Sequence, residues 1–139
     1  MTLKKIRHPR VLLADDLPEV HLKVAELLRD DFDIVGSAYD GEQAIEAATT
    51  LNPDVLILDI SMPLLNGIQV ASRLVETGCK AKIIFFTVHD DQDYVGAAFS
   101  LGALGYVLKP RLATDLIPAI EAALQGRKFN SEFPIRSVK

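Results

Sequence analysis

The chain has 139 residues, 19 acidic and 15 basic, giving a formal charge of −4, and 49% of it is hydrophobic. That length allows one domain with a single respectable core, and the apolar share excludes a disordered or collagen-like chain. The mildly acidic balance excludes a general attraction to nucleic acid or anionic lipid, the lone Cys79 excludes an internal disulfide framework, and no apolar run approaches the ~20 residues of a membrane span.

Residues 1–9 read as a basic lead-in (Lys4, Lys5, Arg7) that precedes too short an apolar run for a signal peptide. The first strand is Val11–Ala14, followed by a helix with Val20, Val24, Leu27 and Leu28 at i, i+4, i+7 and i+8. A second strand, Asp33–Ala38, leads to a helix carrying Ala44, Ile45, Ala48 and Leu51, with Asp40 and Gln43 spaced as in a capping box. The strand Val55–Leu58 precedes a helix with Ile68, Ala71, Leu74 and Val75. The strand Ile83–Phe86 precedes one with Tyr94, Val95, Ala98 and Phe99. The last pair is Gly105–Leu108 and a helix with Leu116, Ile117, Ile120 and Leu124. If Thr114 caps that helix, Pro118 falls at the end of its first turn. Gly78, Gly102 and Gly126 sit where three of the helices stop.

Five alternating strand and helix units imply a parallel α/β sheet covered by helices on both faces. The first, third and fourth strands are continuously apolar, as strands buried on both faces should be. Asp33, Gly36 and Ser37 dilute the second, and Gly105 and Tyr106 the fifth, which suits edges. The expected order is 2-1-3-4-5, a flavodoxin-like doubly wound sheet whose switch point lies between strands 1 and 3. Residues 10–126 fill this unit. Residues 127–139 read as a tail or the start of a linker, without room for a helix-turn-helix output domain.

The carboxyl ends of the strands gather the chemistry. Asp15 and Asp16 follow strand 1, Asp59 follows strand 3, Thr87 ends strand 4, and Lys109 follows strand 5. An aspartate after a strand often only caps the next helix, and a lone lysine is most often a solvated charge. Three carboxylates at one switch point are different: at ~4 Å each pair repels by on the order of 1–4 kcal/mol. Either some are protonated or a hard divalent cation such as Mg²⁺ holds them. Lys109 and the Thr87 hydroxyl can then serve a phosphoryl group as point charge and donor.

With these residues in place the sequence resembles the receiver domain of bacterial two-component response regulators. The resemblance runs from about Arg10 to Gln125 and rests on Asp15-Asp16, Leu58-Asp59 with Met62-Pro63 and Asn66-Gly67, Thr87, and Lys109-Pro110. Val11–Asp16 and Gly102–Lys109 look most like receivers of the helix-turn-helix transcriptional subgroup. The resemblance implies that Asp59 is the phosphoacceptor for a sensor histidine kinase. Mg²⁺ would be held by Asp16, Asp59 and the backbone carbonyl of Ser61, with Asp15 acting largely through water. It implies that Lys109 pairs with Asp59 and then with the phosphoryl oxygens, that Thr87 swings toward the phosphoryl group, and that Tyr106 turns inward behind it. The face of helix 4, strand 5 and helix 5 would then receive a partner or a second copy as a homodimer. A cis Lys109-Pro110 bond is a further implication. Val88 departs from the small residue common after this threonine, and with His89 and Ser61 it is a candidate modulator of phosphorylation lifetime.

The expected chain is thus a cytoplasmic switch that catalyses only its own phosphorylation and dephosphorylation, without nucleic-acid or membrane contact of its own. It acts alone or as the amino-terminal module of a transcriptional regulator. A haloacid dehalogenase-like phosphohydrolase would place its two aspartates one apart after a single strand, and a flavodoxin-type flavin module would need a Ser/Thr/Gly phosphate loop where Asp15-Asp16-Leu17-Pro18 stands. A receiver that binds partners without phosphorylation would not need all five site residues. His8 and His21 read as surface residues, and Cys79 as an incidental thiol.

Overall fold

The computed structural model describes residues 7–89 and 92–131. Among these residues six strands and five helices follow one another as β1 (Arg10–Ala14), α1 (Pro18–Leu28), β2 (Asp33–Ala38), α2 (Gly41–Leu51), β3 (Val55–Leu58), α3 (Gly67–Glu76), β4 (Lys82–Thr87), α4 (Gln92–Ser100), β5 (Gly105–Leu108), α5 (Leu112–Leu124) and β6 (Phe129–Asn130). The sheet order is β2-β1-β3-β4-β5-β6, and every pairing is parallel.

Alternation along the strands divides the core in two. Leu12, Leu56, Leu58, Ile83 and Phe85 face α2, α3 and α4, where Ala44, Ala48, Val70, Leu74 and Ala98 meet them. Val11, Leu13, Val55, Ile57, Ile84 and Phe86 face α1 and α5, against Val24, Leu28, Leu116 and Ile120. Small residues on α2 and α5 let those helices approach the sheet closely. Both faces are therefore dry, which is why β1, β3 and β4 read as unbroken apolar runs.

The caps follow side-chain chemistry. Asp40 accepts the Gln43 amide at 2.8 Å, while the Gln43 side chain reaches back to the amide of Tyr39 rather than to that of Asp40. A reciprocal capping box does form at α3, where Asn66 and Gln69 exchange bonds of 2.8 and 2.9 Å. Gly78, Gly102 and Gly126 take φ of 81°, 95° and 76°, the left-handed conformation that terminates helices.

The carboxyl-terminal third differs from the sequence expectation in four ways. A sixth strand adds to β5, so β5 is not an edge; β2 is. Gly105 is there for packing: a Cβ would stand 3.0 Å from the Ile84 side chain. Residues 129–131 belong to the sheet edge rather than to a tail, while 132–139 and 1–6 lie outside the described residues. Lys109-Pro110 is trans, because a 3-10 turn over Lys109–Arg111 carries the chain directly into α5, with the Leu112 amide on the Lys109 carbonyl. That turn starts the helix early, at Leu112. Thr114 therefore lies inside α5 rather than at its cap, and Pro118 sits in the helix interior.

Candidate functional site

Strand register brings the acidic residues level. Ala14 is paired with Leu58, and the next amides continue the ladder: Asp59 N–H donates to the Ala14 carbonyl at 2.9 Å and Asp15 N–H to the Ala38 carbonyl at 3.0 Å. Carboxylate oxygens of Asp15, Asp16 and Asp59 lie within 4.8 Å of one another. Asp15 and Asp59 are buried, whereas Asp16 lies nearer solvent.

Each buried carboxylate divides its two oxygens in the same way. Asp15 accepts the Leu17 amide at 2.9 Å on one oxygen and meets Lys109 Nζ at 2.7 Å with the other. Asp59 accepts the Ser61 amide at 3.3 Å on one and meets the same ammonium at 3.3 Å with the other. Lys109 thus bridges both and stands closer to Asp15; its ammonium also lies 5.6 Å from the Phe86 ring centroid. Burial opposes the Lys109 charge, but the bonds and charges of Asp15 and Asp59 together outweigh it and raise its pKa. Burial, then the Asp15 charge, pushes the Asp59 carboxyl from 3.8 up to about 6, against the pull of Lys109 and the Ser61 amide. One ammonium offsets one of the three carboxylates. The all-oxygen set that remains under-compensated fits a hard divalent cation.

The β3–α3 loop is fixed by backbone contacts that only glycine allows. Gly67 donates its amide to the Ile60 carbonyl at 2.8 Å, and a Cβ there would fall 2.2 Å from the Asp59 carbonyl. Gly41, at the start of α2, stands against the other side of the loop, where a Cβ would fall 2.3 Å from the Leu65 carbonyl. Gly67→Ala should therefore cost about 3 kcal/mol, the upper end for overpacking, because backbone cannot rotate away as a side chain can. A urea midpoint equal to that of the native chain would refute this.

On the other flank, Thr87 is wholly buried and its hydroxyl accepts the His89 amide at 3.2 Å. The His89 carbonyl accepts the Tyr106 hydroxyl at 2.6 Å, and its Nε2 shares a hydrogen bond of 2.6 Å with Ser61 Oγ. The ring lies 4.8 Å from Tyr94. His89 therefore ties the β4–α4 loop to both the β3–α3 loop and β5. Tyr106 is already inward, fully buried and tilted against Phe85. Val88 is 64% exposed.

The structure thus brings Asp15, Asp16, Asp59 and Lys109 together, with Ser61, Thr87, His89 and Tyr106 in a connected network beside them. Two groups were not anticipated. His21 is buried rather than at the surface, with Nε2 2.7 Å from the Asp15 carbonyl. Its spacing from Val24 and Leu28 on the buried stripe of α1 is the signal that pointed there. Asp115 is also buried, bonded to Arg111, Thr114 and Ser131; its partner Ser131 lies beyond the last periodic segment.

The model of the response regulator receiver domain matches residues 11–121. The chain belongs to that family. As a receiver it is 40% identical over 116 residues to the transcriptional regulatory protein PdtaR of Mycobacterium tuberculosis, covering 83% of this chain and 56% of that protein. Among solved structures it superposes with a TM-score of 0.86 and 30% identity on a two-component response regulator of the LuxR family from Aurantimonas sp. SI85-9A1, covering 95% of this chain and 96% of that one. It superposes at 0.84 and 29% on the isolated receiver domain of RcsB from Salmonella enterica serovar Typhimurium, solved with the phosphomimetic BeF3−, covering 96% and 100%. The receiver spans about half the length of the curated relatives it matches. Among the described residues, no helix is long and apolar enough to cross a membrane.

Proposed function

We propose that this receiver takes a phosphoryl group from a phosphohistidine of a sensor histidine kinase onto Asp59. The observation that carries the reading is the shared ammonium. Lys109 holds one oxygen each of Asp15 and Asp59 within a three-carboxylate set, so the acceptor oxygen is positioned and its charge partly offset. At neutral pH most Asp59 carboxyls are ionised and nucleophilic. Attack forms the O–P bond as the N–P bond breaks, and the electron pair returns to the imidazole nitrogen.

Asp16, Asp59 and the Ser61 carbonyl would hold Mg²⁺, with Asp15 acting largely through water. The chemistry supplied there, when the ion is bound, is neutralisation between carboxylates and phosphoryl oxygens. Phosphorylation brings about −1.5 to −2 charges, and Lys109 moves toward them. The Thr87 hydroxyl exchanges the His89 amide for a phosphoryl oxygen, which loosens the loop that His89 and Tyr106 tie together. The readout face is α4, β5 and α5, now including β6, which covers the edge of β5; a partner or a second copy docks there. Ser61, whose amide meets Asp59, His89, bonded to Ser61, and the exposed Val88 set the lifetime of the phosphoryl group. Within this reading residues 10–131 form one receiver unit, β6 included. It is cytoplasmic, contacts no nucleic acid itself, and catalyses only its own phosphorylation and dephosphorylation.

Intact mass after acetyl phosphate and Mg²⁺ tests this directly. The native chain should gain one phosphoryl group and Asp59→Asn none. Equal labelling of both, or of neither, would remove the proposal.

A further inference from the structure

His21 is a buried side chain at the acidic set for which phosphoryl chemistry provides no role. Only 7% of it is exposed, yet it is a polar ring in the first turn of α1, at the start of the buried stripe that continues with Val24 and Leu28. Its Nε2 lies 2.7 Å from the Asp15 carbonyl. A carbonyl only accepts, so Nε2 must carry the proton and donate it. Its Nδ1 is buried with no hydrogen-bond partner among the described residues. With no partner on Nδ1, the bond from Nε2 is the hydrogen bond that orients the ring. The ring plane is held from the side by Tyr39, stacked at a centroid distance of 4.2 Å and an interplanar angle of 13°.

The carbonyl it grips belongs to the peptide that joins Asp15 to Asp16. Asp15 is otherwise fixed through its own amide, on Ala38, and through its side chain, on Leu17 and Lys109. The peptide plane that sets the angle between the two carboxylates has His21 as its restraint on the carbonyl side. We propose that His21 is a positioning residue: by donating from Nε2 to the Asp15 carbonyl, clamped by Tyr39, it fixes how Asp15 and Asp16 are presented to a divalent cation. The inference rests on the proposed reading of the acidic set. Groups that orient ligands from behind in this way are commonly worth 10–100-fold in metal affinity.

Two variants separate the bond from the packing. His21→Leu fills a similar volume without a donor, and the amide of His21→Gln can donate to the same carbonyl. Calorimetric titration of the unphosphorylated chain with Mg²⁺ should show about a 10-fold loss for the leucine variant and recovery of most of it in the glutamine variant. In metal-free protein the leucine variant should exchange its Leu17 amide faster. Nitrogen-15 spectra of the native chain should find a proton on His21 Nε2, the nitrogen that faces the Asp15 carbonyl. A folded leucine variant with native Mg²⁺ affinity and native exchange would overturn the proposal. So would a proton on Nδ1 instead, a result that needs no variant to fold. If the native chain fails to bind Mg²⁺, the reading of the acidic set fails, while metal-free exchange and the tautomer still decide what His21 does.

Discussion

Asp59→Asn is expected to stabilise the metal-free chain at pH 7 by about 1–3 kcal/mol while abolishing phosphorylation. Asp59 titrates near 6 when folded, against 3.8 for an ordinary aspartate, because burial and the Asp15 charge disfavour its ionised form. Below pH 3.8 the carboxyl is protonated in both states and costs nothing. Between about 4 and 6 the folded chain keeps a proton that the unfolded chain has lost, so stability falls as pH rises through that window. Above 6 the full penalty remains. Each pKa unit corresponds to 1.36 kcal/mol, so about two units bound the effect at roughly 3 kcal/mol. Asparagine has nearly the same shape and does not titrate, and Lys109 keeps Asp15 as its partner. The difference in urea stability, variant minus native, should rise from near zero at about pH 3 to its plateau by about pH 7, and added Mg²⁺ should shrink it. A difference that is flat with pH, or of opposite sign, would contradict the electrostatic account of the site.

That penalty is the physical content of a switch. The metal-free site holds more negative charge than Lys109 offsets, and the cost is carried by a core packed on both faces of the sheet. Any cation or charge rearrangement that relieves it therefore acts with leverage on the loops around it. Those loops meet at His89, which bonds through its amide to Thr87, through its carbonyl to Tyr106 and through its ring to Ser61. A change at Asp59 reaches β5 by that route in three short steps, none of which needs the sheet itself to move.

Periodicity made the sheet legible because its three central strands are apolar on both faces and its helices carry clean stripes. The acidic set was legible because strand ends are fixed points in such a sheet: knowing where Leu58 and Ala14 stop places Asp59 and Asp15. What sequence could not supply lay in contacts between distant segments. Gly105 looked like an edge residue because composition does not reveal that Ile84 fills the space of its missing side chain. Thr114 read as a cap and hence a later helix start, since nothing local announces the 3-10 turn that begins α5 at once. His21 was passed over because a histidine on an apolar stripe is read by its polarity, although its position matched the stripe. Phe129 and Asn130 form too short a strand to carry any period, and they are ordered by a partner sixteen residues before Ser131.

That partner, Asp115, supports the second large expectation: Asp115→Ala should cost about 2–3 kcal/mol and release β6 from the sheet. The carboxylate accepts Ser131 Oγ at 2.7 Å, Thr114 Oγ1 at 3.0 Å and Arg111 Nε at 2.7 Å. Ser131 Oγ in turn accepts the Leu108 amide at 3.1 Å, and the Ser131 amide donates to the Tyr106 carbonyl at 2.9 Å. Burial opposes the Asp115 charge, but these bonds outweigh it and hold its pKa below the ordinary value. Its stabilisation is therefore present above the usual aspartate pKa and lost as pH falls through the lowered one. Arg111 is half exposed, so Arg111→Ala should cost less than about 1 kcal/mol, whereas Ser131→Ala removes the link to β5 and should approach the aspartate variant. Hydrogen exchange should report the loss most clearly at the Ser131 amide. If Arg111→Ala proved as damaging as Asp115→Ala, the ion pair rather than the serine would be holding the strand. With the serine as the link, Ser131 is anchored to the inward Tyr106 and to Leu108, the residue before Lys109. A rearrangement of β5 then carries β6 and Ser131 with it.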